Sequence, residues 1–173
     1  SNALGKANLK RIIKLNAKAA LEAITPAERS ELQDLCRRYL PVPEPGEMLR
    51  KVITLADTEK YYLRYKGVPS VQKFVAKAKD YEVSSAKSMI EYLRLDYKGT
   101  GFKPNEGFAI IEFPYPGETK IMHPFEVPNI LDNPAPYTNT GMSGSSRTII
   151  PEYYLSERIR LPHGTQLTIY YQA

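Results

Sequence analysis

One carboxylate near the C-terminal end lies in a setting suited to catalysis. Glu157 falls within a strand-like segment, 153–161, which is followed by the turn sequence Pro162-His163-Gly164 and by a last strand-like segment, 165–171. Two strand patterns joined by a short glycine-containing turn predict a hairpin. A carboxylate held rigidly beside such a hairpin, over a cleft, can stabilise positive charge that develops in a transition state.

Two other polar segments precede this glutamate in the chain. Arg64 lies in the tyrosine-rich stretch 60–66, which predicts a strand. Ser84 and Ser85 come directly before a helical pattern over residues 86–95, where a serine can cap the first turn. A planar guanidinium suits the gripping of phosphate oxygens, and serine hydroxyls can orient a neighbouring carboxylate.

The order of these elements resembles that of mono-ADP-ribosyltransferases of the Arg-Ser-Glu type, over roughly residues 57–173. In that family an Arg lies on the first core strand, a Ser-Thr-Ser-like segment opens a helix, and a Glu precedes a strand that ends in Leu-Pro-x-Gly-Thr. The corresponding sequences here are Leu63-Arg64-Tyr65, Val83-Ser84-Ser85 and Glu157 followed by Leu161-Pro162-His163-Gly164-Thr165. The resemblance implies an α+β fold, with N-terminal helices followed by a split, mostly antiparallel sheet around an NAD cleft.

The resemblance also implies roles for individual residues, with NAD consumed as the substrate and no metal ion. Glu157, Arg64, Ser84 and Ser85 would be catalytic, and Arg64, Tyr65 and Ser84 would bind NAD. Arg64 would support the NAD phosphates, and Ser84 or Ser85 would orient the carboxylate. Glu157 would stabilise the oxocarbenium-like ribose that forms as nicotinamide leaves.

The chain departs from the family pattern around the glutamate. Leu155 stands where the family often has Glu or Gln, two residues before the catalytic Glu. Arg158 stands where a strict alignment to the Pro-x-Gly turn would put that Glu. Glu152 is therefore an alternative catalytic carboxylate, and both ADP-ribose transfer and NAD hydrolysis stay open.

Two other classes of function are compatible with the sequence. His123 and His163 could serve as general acid and base in a metal-independent ribonuclease toxin. The chain could instead be a non-catalytic binding or structural module. No phosphate-binding glycine loop or dinucleotide-binding fingerprint is present in the sequence.

Composition limits the partners and the chemistry. The 173 residues carry a net charge of +5, which favours acidic partners such as RNA, nucleotide phosphates or an acidic inhibitor protein. One cysteine and two histidines argue against a zinc centre, and Cys36 is expected to be a buried structural thiol. No apolar run approaches the length of a membrane span.

The pattern along the chain divides it into two regions. Residues 4–56 are predicted to be a helical region, with helices over 4–24, 26–40 and 47–55. Residues 57–173 form the region that is ADP-ribosyltransferase-like. It is predicted to contain a helix over 68–79 and strands over 108–113 and 148–150, besides the two C-terminal strands.

The resemblance suggests a biological setting as well. We expect a bacterial toxin or effector domain, a glycosyltransferase in the wide sense, secreted or delivered to the cytoplasm of a target cell. Its target would be a protein or an RNA, and a cognate immunity protein would neutralise it. The loop predicted over 124–146 is placed to contact the target or that inhibitor.

Overall fold

The computed structural model describes residues 5–58, 69–96, 99–117, 120–127, 142–144 and 149–171. Its helices are α1 (Lys6–Ala20), α2 (Pro26–Tyr39), α3 (a single turn, Leu55–Asp57) and α4 (Ala86–Leu93). Its strands are β1 (Met48–Thr54), β2 (Ser70–Lys77), β3 (Phe108–Pro114), β4 (Ile121–Met122), β5 (Met142–Gly144), β6 (Ile149–Pro151), β7 (Tyr153–Arg160) and β8 (Gln166–Tyr170).

Helices α1 and α2 precede the sheet in the chain and pack against each other. A capping box starts α2: Thr25 Oγ1 accepts from the Glu28 backbone N–H at 3.1 Å, and Glu28 Oε1 accepts from the Thr25 backbone N–H at 3.1 Å. The two helices bury a small apolar cluster of Ile12, Leu15, Leu32 and Cys36. This confirms the first two predicted helices and the buried thiol, and burial raises the pKa of Cys36 to about 12.

Six strands form one sheet in the order β4-β7-β2-β1-β3-β8, and every neighbouring pair is antiparallel. The predicted α+β class, with N-terminal helices and a mostly antiparallel sheet, is therefore confirmed. A separate pair of strands, β5 and β6, is also antiparallel.

Both faces of the sheet are covered. One face carries the inner core: Leu49, Ile53, Val71, Val75, Ala109, Ile111, Phe113, Tyr115, Ile121, Tyr153, Leu155 and Ile159. The other face carries the outer core, in which α4 packs on the sheet: Ala76, Ala86, Met89, Leu93, Phe108, Ile110 and Ile150. Successive β3 side chains enter alternate cores, so the unbroken apolar run 108–111 is buried on both faces.

The sheet is strongly curved, as the link between β7 and β8 requires. Strands β2, β1 and β3 lie between them in the order, which in a flat sheet would put them four spacings, roughly 19 Å, apart. The link 161–165 is folded back, since Thr165 Oγ1 donates to the Pro162 carbonyl at 2.7 Å and Gly164 has φ +92°. Curvature brings the two strands close enough that Ile159 and Leu167 pack at the same inner core.

The predicted C-terminal hairpin is therefore wrong, although its two strands exist. β7 pairs with β2 and β4, whereas β8 pairs with β3. A Pro-x-Gly turn between two strand patterns predicts that the chain changes direction, but it does not predict which strands pair. The turn around Gly164 joins two distant strands of the curved sheet.

Two predicted helices are strands in the structure. Residues 47–55 contain β1, and residues 68–79 contain β2, so the sheet begins inside the region predicted to be helical. The spacing of Val71 and Val75 fits a helix, but a spacing of four also puts two residues on one face of a strand. Pairing with β7 and β3 decided the outcome, because tertiary contacts override a weak local preference.

Candidate functional site

Strands β1 and β2 stay paired over a short length only. Their register comprises Leu49 with Lys77 and Arg50 with Ala76, whereas β1 pairs with β3 along its full length. From residue 51 onward β1 has no partner in β2, and residues 70–75 of β2 pair with β7 on their other side. We call this divergence, bounded by residues 51–54 and 70–75, the β1–β2 fork.

Lys51 lies at the narrow end of the fork. It alternates along β1 with Leu49 and Ile53 of the inner core, and its side chain is half-buried. Its Nζ donates to the Phe74 backbone carbonyl at 2.7 Å. The lysine side chain thus satisfies a backbone acceptor at a point where β1 and β2 are no longer paired. Burial lowers the pKa of this ammonium to about 8.

Glu157 lies in a bulge of β7 that faces the opposite edge of β2. Val71 pairs with Ile159 and Lys73 pairs with Leu155, so Gln72 alone opposes residues 156–158. Lys73 has φ +65°, a left-handed conformation that costs a non-glycine residue energy. Bulges of this kind often re-aim a side chain, and strained residues are frequent at functional sites.

The bulge is braced on both sides. The Ser156 hydroxyl donates to the Lys120 carbonyl at 3.0 Å, and Arg158 Nη1 donates to Ser70 Oγ at 2.8 Å. Glu157 has the same parity along β7 as the buried Leu155 and Ile159, yet its side chain is exposed. The bulge thus leaves a carboxylate accessible to solvent between two residues of the inner core.

Three charged residues share inner-face parity on neighbouring strands: Lys51 on β1, Lys73 on β2 and Glu157 on β7. Lys51 and Glu157 are separated by two strand spacings and about three residues along the strands, roughly 10–15 Å between backbones. A ligand that touches both must be extended. Between described residues, neither Glu157 nor Lys73 forms an ion pair.

Other strand charges are neutralised by neighbours. Arg50 Nε lies 2.8 Å from Glu112 Oε2, and Lys77 Nζ lies 3.5 Å from Glu47 Oε2. The Arg50 pair sits on the outer face, and the Lys77 pair closes the end of the sheet opposite the fork. Lys73 and Glu157 have no such ion-pair partner among the described residues.

The predicted serines lie on a different side of the sheet from Glu157. Ser85 caps α4, because its Oγ accepts from the Ser88 backbone N–H at 3.2 Å. Ser84 is exposed in the segment before it. Since α4 packs on the outer core and Glu157 has inner-face parity, the structure does not bring these serines to the carboxylate.

The remaining predicted site residues are placed as follows. Arg64 and Tyr65 lie outside the described residues. The description stops at Thr58, after β1, and resumes at Pro69, before β2, and these two positions flank the fork. Glu152, the alternative carboxylate, is half-buried just before β7 and stabilises the charged form of Lys51. The sequence analysis did not select Lys51. The alternation Leu49-x-Lys51-x-Ile53 indicates a strand that puts Lys51 on the same face as two apolar residues, but the predicted helix over 47–55 concealed it.

The two histidines lie at opposite ends of β7. Met122, next to His123, pairs with Tyr154, whereas His163 is in the exposed turn beyond Arg160. Roughly 15–20 Å of strand separates these ends. A single scissile phosphate cannot contact both imidazoles at that distance, so the geometry disfavours a histidine pair as acid and base.

His123 is instead part of the packed interior. Its ring is 5% exposed and stacks on Phe125 at 5.0 Å between centroids, with Tyr153 at 5.7 Å. Burial is the main cause that lowers its pKa, Arg37 and Lys77 lower it further, and Glu126 opposes them. The folded state therefore favours the neutral imidazole.

This burial predicts a loss of stability in mild acid. Because the pKa of His123 is lower in the folded state, this residue contributes fully to stability above the ordinary imidazole pKa of about 6.5. Its contribution falls as the pH drops below that value. His123→Phe keeps an aromatic ring on Phe125 and removes the titration. The free energy of unfolding in urea should fall less for this variant than for the wild type between about pH 7 and pH 5.

The control is His163→Gln, at an exposed position, whose free energy of unfolding should depend on pH as in the wild type. The same pH dependence in His123→Phe as in the wild type would contradict the assignment.

The described ranges contain no candidate metal centre and no candidate membrane helix. Within them, no three His, Cys, Asp or Glu side chains are grouped closely enough to hold a metal ion. None of the helices described is both long enough and apolar enough to cross a membrane.

Comparison of the chain with protein-family models, with curated proteins and with solved structures found no significant match.

Proposed function

We propose that this domain cleaves the nicotinamide–ribose bond of NAD beside Glu157, with the NAD phosphates directed toward the β1–β2 fork, and transfers the ADP-ribose to a macromolecule or to water. The observation that carries the proposal is the bulge of β7, which exposes the Glu157 carboxylate, with the cation Lys73 on the neighbouring strand β2. An anionic ligand that develops positive charge at one carbon needs this combination of charges.

The chemistry assigns a separate task to each sign of charge. The carbon–nitrogen bond breaks with its electron pair leaving on nicotinamide, and the ribose becomes oxocarbenium-like. The Glu157 carboxylate stabilises that charge, and a nucleophile of the target, or water, then attacks the same carbon and loses its proton. Lys73 and Lys51 are suited to the phosphates, since the separation across β2 requires an extended ligand.

This proposal differs from the sequence-based expectation in its supporting residues. Ser85 is used as a helix cap and so is not needed to orient Glu157. The hydrogen bonds of Ser156 and Arg158 instead fix the bulged backbone that carries Glu157. Arg64 keeps its proposed role at the phosphates as an expectation, because the position lies outside the described residues.

The direct test is incubation of the purified protein with NAD, with free nicotinamide measured by chromatography. Release of nicotinamide is the expected result, and label transfer from NAD carrying a tag on its adenine separates transfer from hydrolysis. Cleavage of purified RNA in the absence of NAD, without nicotinamide release, would favour a ribonuclease. If the folded protein does neither, a binding module becomes the leading candidate.

The biological setting proposed is that of a bacterial toxin domain held in check by a cognate inhibitor. The net charge of +5 supports an acidic inhibitor or an RNA target. An NAD-consuming domain expressed in a bacterial cytoplasm without its inhibitor should stop growth and lower the cellular NAD level. Normal growth with abundant folded protein would argue against this setting.

A further inference from the structure

Lys51 is a cation in an unusual position for a lysine. Its stem lies between the inner-core residues Leu49 and Ile53, opposite Ile111 of β3, and its ammonium reaches the carbonyl of Phe74. An ammonium has three N–H donors, and the bond to Phe74 uses one of them. Within the part of the chain that the structure describes, Lys51 makes this one hydrogen bond beside the point where β1 and β2 separate, an arrangement that suits recognition of an anion.

We propose that the β1–β2 fork is a phosphate-binding site for a nucleotide, in which Lys51 is the buried anchor and Lys73 the exposed second cation. The inference rests on the proposed function for its ligand class and gives the two lysines separate roles in holding the phosphates. The position of Lys73 supports it, because Lys73 adjoins Phe74, whose backbone carbonyl binds the Lys51 ammonium.

The electrostatics make a distinct demand on such a site. The groups that act on the Lys51 amine are Glu152 and Asp57, which favour its charged form, and Lys73, which disfavours it, while burial is the dominant cause and lowers the pKa to about 8. Near pH 8 about half of the amines are therefore neutral. A bound phosphate favours the charged form and raises that pKa, so binding must take up protons.

Calorimetric titration at pH 8 tests this, with ADP-ribose and inorganic pyrophosphate as probes. Each titration is repeated in two buffers of different ionisation enthalpy, since the difference in apparent enthalpy reports the protons taken up. We expect ADP-ribose to bind with an uptake of about half a proton per site. Lys51→Met, which keeps the apolar stem, should weaken binding roughly 10- to 100-fold, the worth of a charge-assisted hydrogen bond.

Lys51→Arg provides a readout that a merely structural role would not move. Arginine keeps a donor and a permanent charge, so this variant should bind ADP-ribose with no proton uptake. Lys103→Met, at an exposed loop position, should match the wild type in affinity and in proton uptake. Wild-type uptake in Lys51→Arg would overturn the assignment even if Lys51→Met failed to fold.

The outcomes separate this inference from the proposed function. Nicotinamide release by a wild type whose affinity for ADP-ribose is unchanged by Lys51→Met would overturn the phosphate site alone. Uptake that is lost in Lys51→Arg, in a protein that leaves NAD intact, would support the phosphate site and remove the proposed reaction. Binding of pyrophosphate without ADP-ribose would overturn the nucleotide as ligand, and no binding of either probe would overturn the site.

Discussion

Replacing Glu157 with glutamine is expected to lower the rate of nicotinamide release roughly 100- to 1,000-fold, the usual cost of removing one electrostatic stabiliser of a transition state. The amide has nearly the same shape and no charge, so it cannot stabilise the oxocarbenium-like ribose. Because the side chain is exposed, the free energy of unfolding should stay within about 0.5 kcal/mol of wild type. Steady-state kinetics with NAD and urea denaturation measure the two quantities.

Two other substitutions complete this experiment. Glu106→Gln, on an exposed loop, should leave the rate unchanged. Glu152→Gln should have a smaller effect than Glu157→Gln, because Glu152 acts on Lys51 at a distance. If Glu152→Gln abolishes the reaction while Glu157→Gln retains it, the catalytic carboxylate is Glu152 and the bulge has no catalytic role.

Phe113→Ala is expected to destabilise the fold by about 3–5 kcal/mol, the range for truncating a buried phenylalanine. Phe113 is fully buried in the inner core on β3, the strand that pairs with both β1 and β8. The midpoint of urea unfolding should fall while its slope with denaturant stays constant. The variant should lose activity only through loss of folded protein.

The matched control is Tyr171→Ala, which removes an aromatic side chain that is 78% exposed, just after β8. Its free energy of unfolding should change by less than about 0.5 kcal/mol. A similar small change in Phe113→Ala would mean that the inner core does not organise the sheet as described.

Elements with their own local signals were predictable from the sequence. The Thr25 capping box placed the start of α2, Ser85 placed the start of α4, and the apolar run from Phe108 predicted β3. Each of these signals involves residues close together in the chain. The α+β class followed from them, because helical patterns precede strand patterns.

What failed were the features set by pairing between distant segments. The period of β1 and β2 was ambiguous until β3 and β7 were present to pair with them. Their misassignment hid Lys51, since a lysine in a helix would lie on a solvated face. The bulge at Glu157 was also invisible, because it exists only in the register between β7 and β2.

The strand order has a consequence for how this chain reaches its native state. Ser70 pairs with Arg160 and Phe108 pairs with Tyr170, so most of the sheet is assembled from contacts between residues far apart in sequence. Such chains have high relative contact order and fold slowly, in milliseconds to seconds, because loop-closure entropy must be lost before the pairing is gained. Until β7 is in place, β2 has no partner along the edge that faces away from β1, and the inner core lacks the residues that β7 contributes. A ribosome that releases this domain from its N-terminus therefore exposes an incomplete sheet until β7 and β8 have emerged.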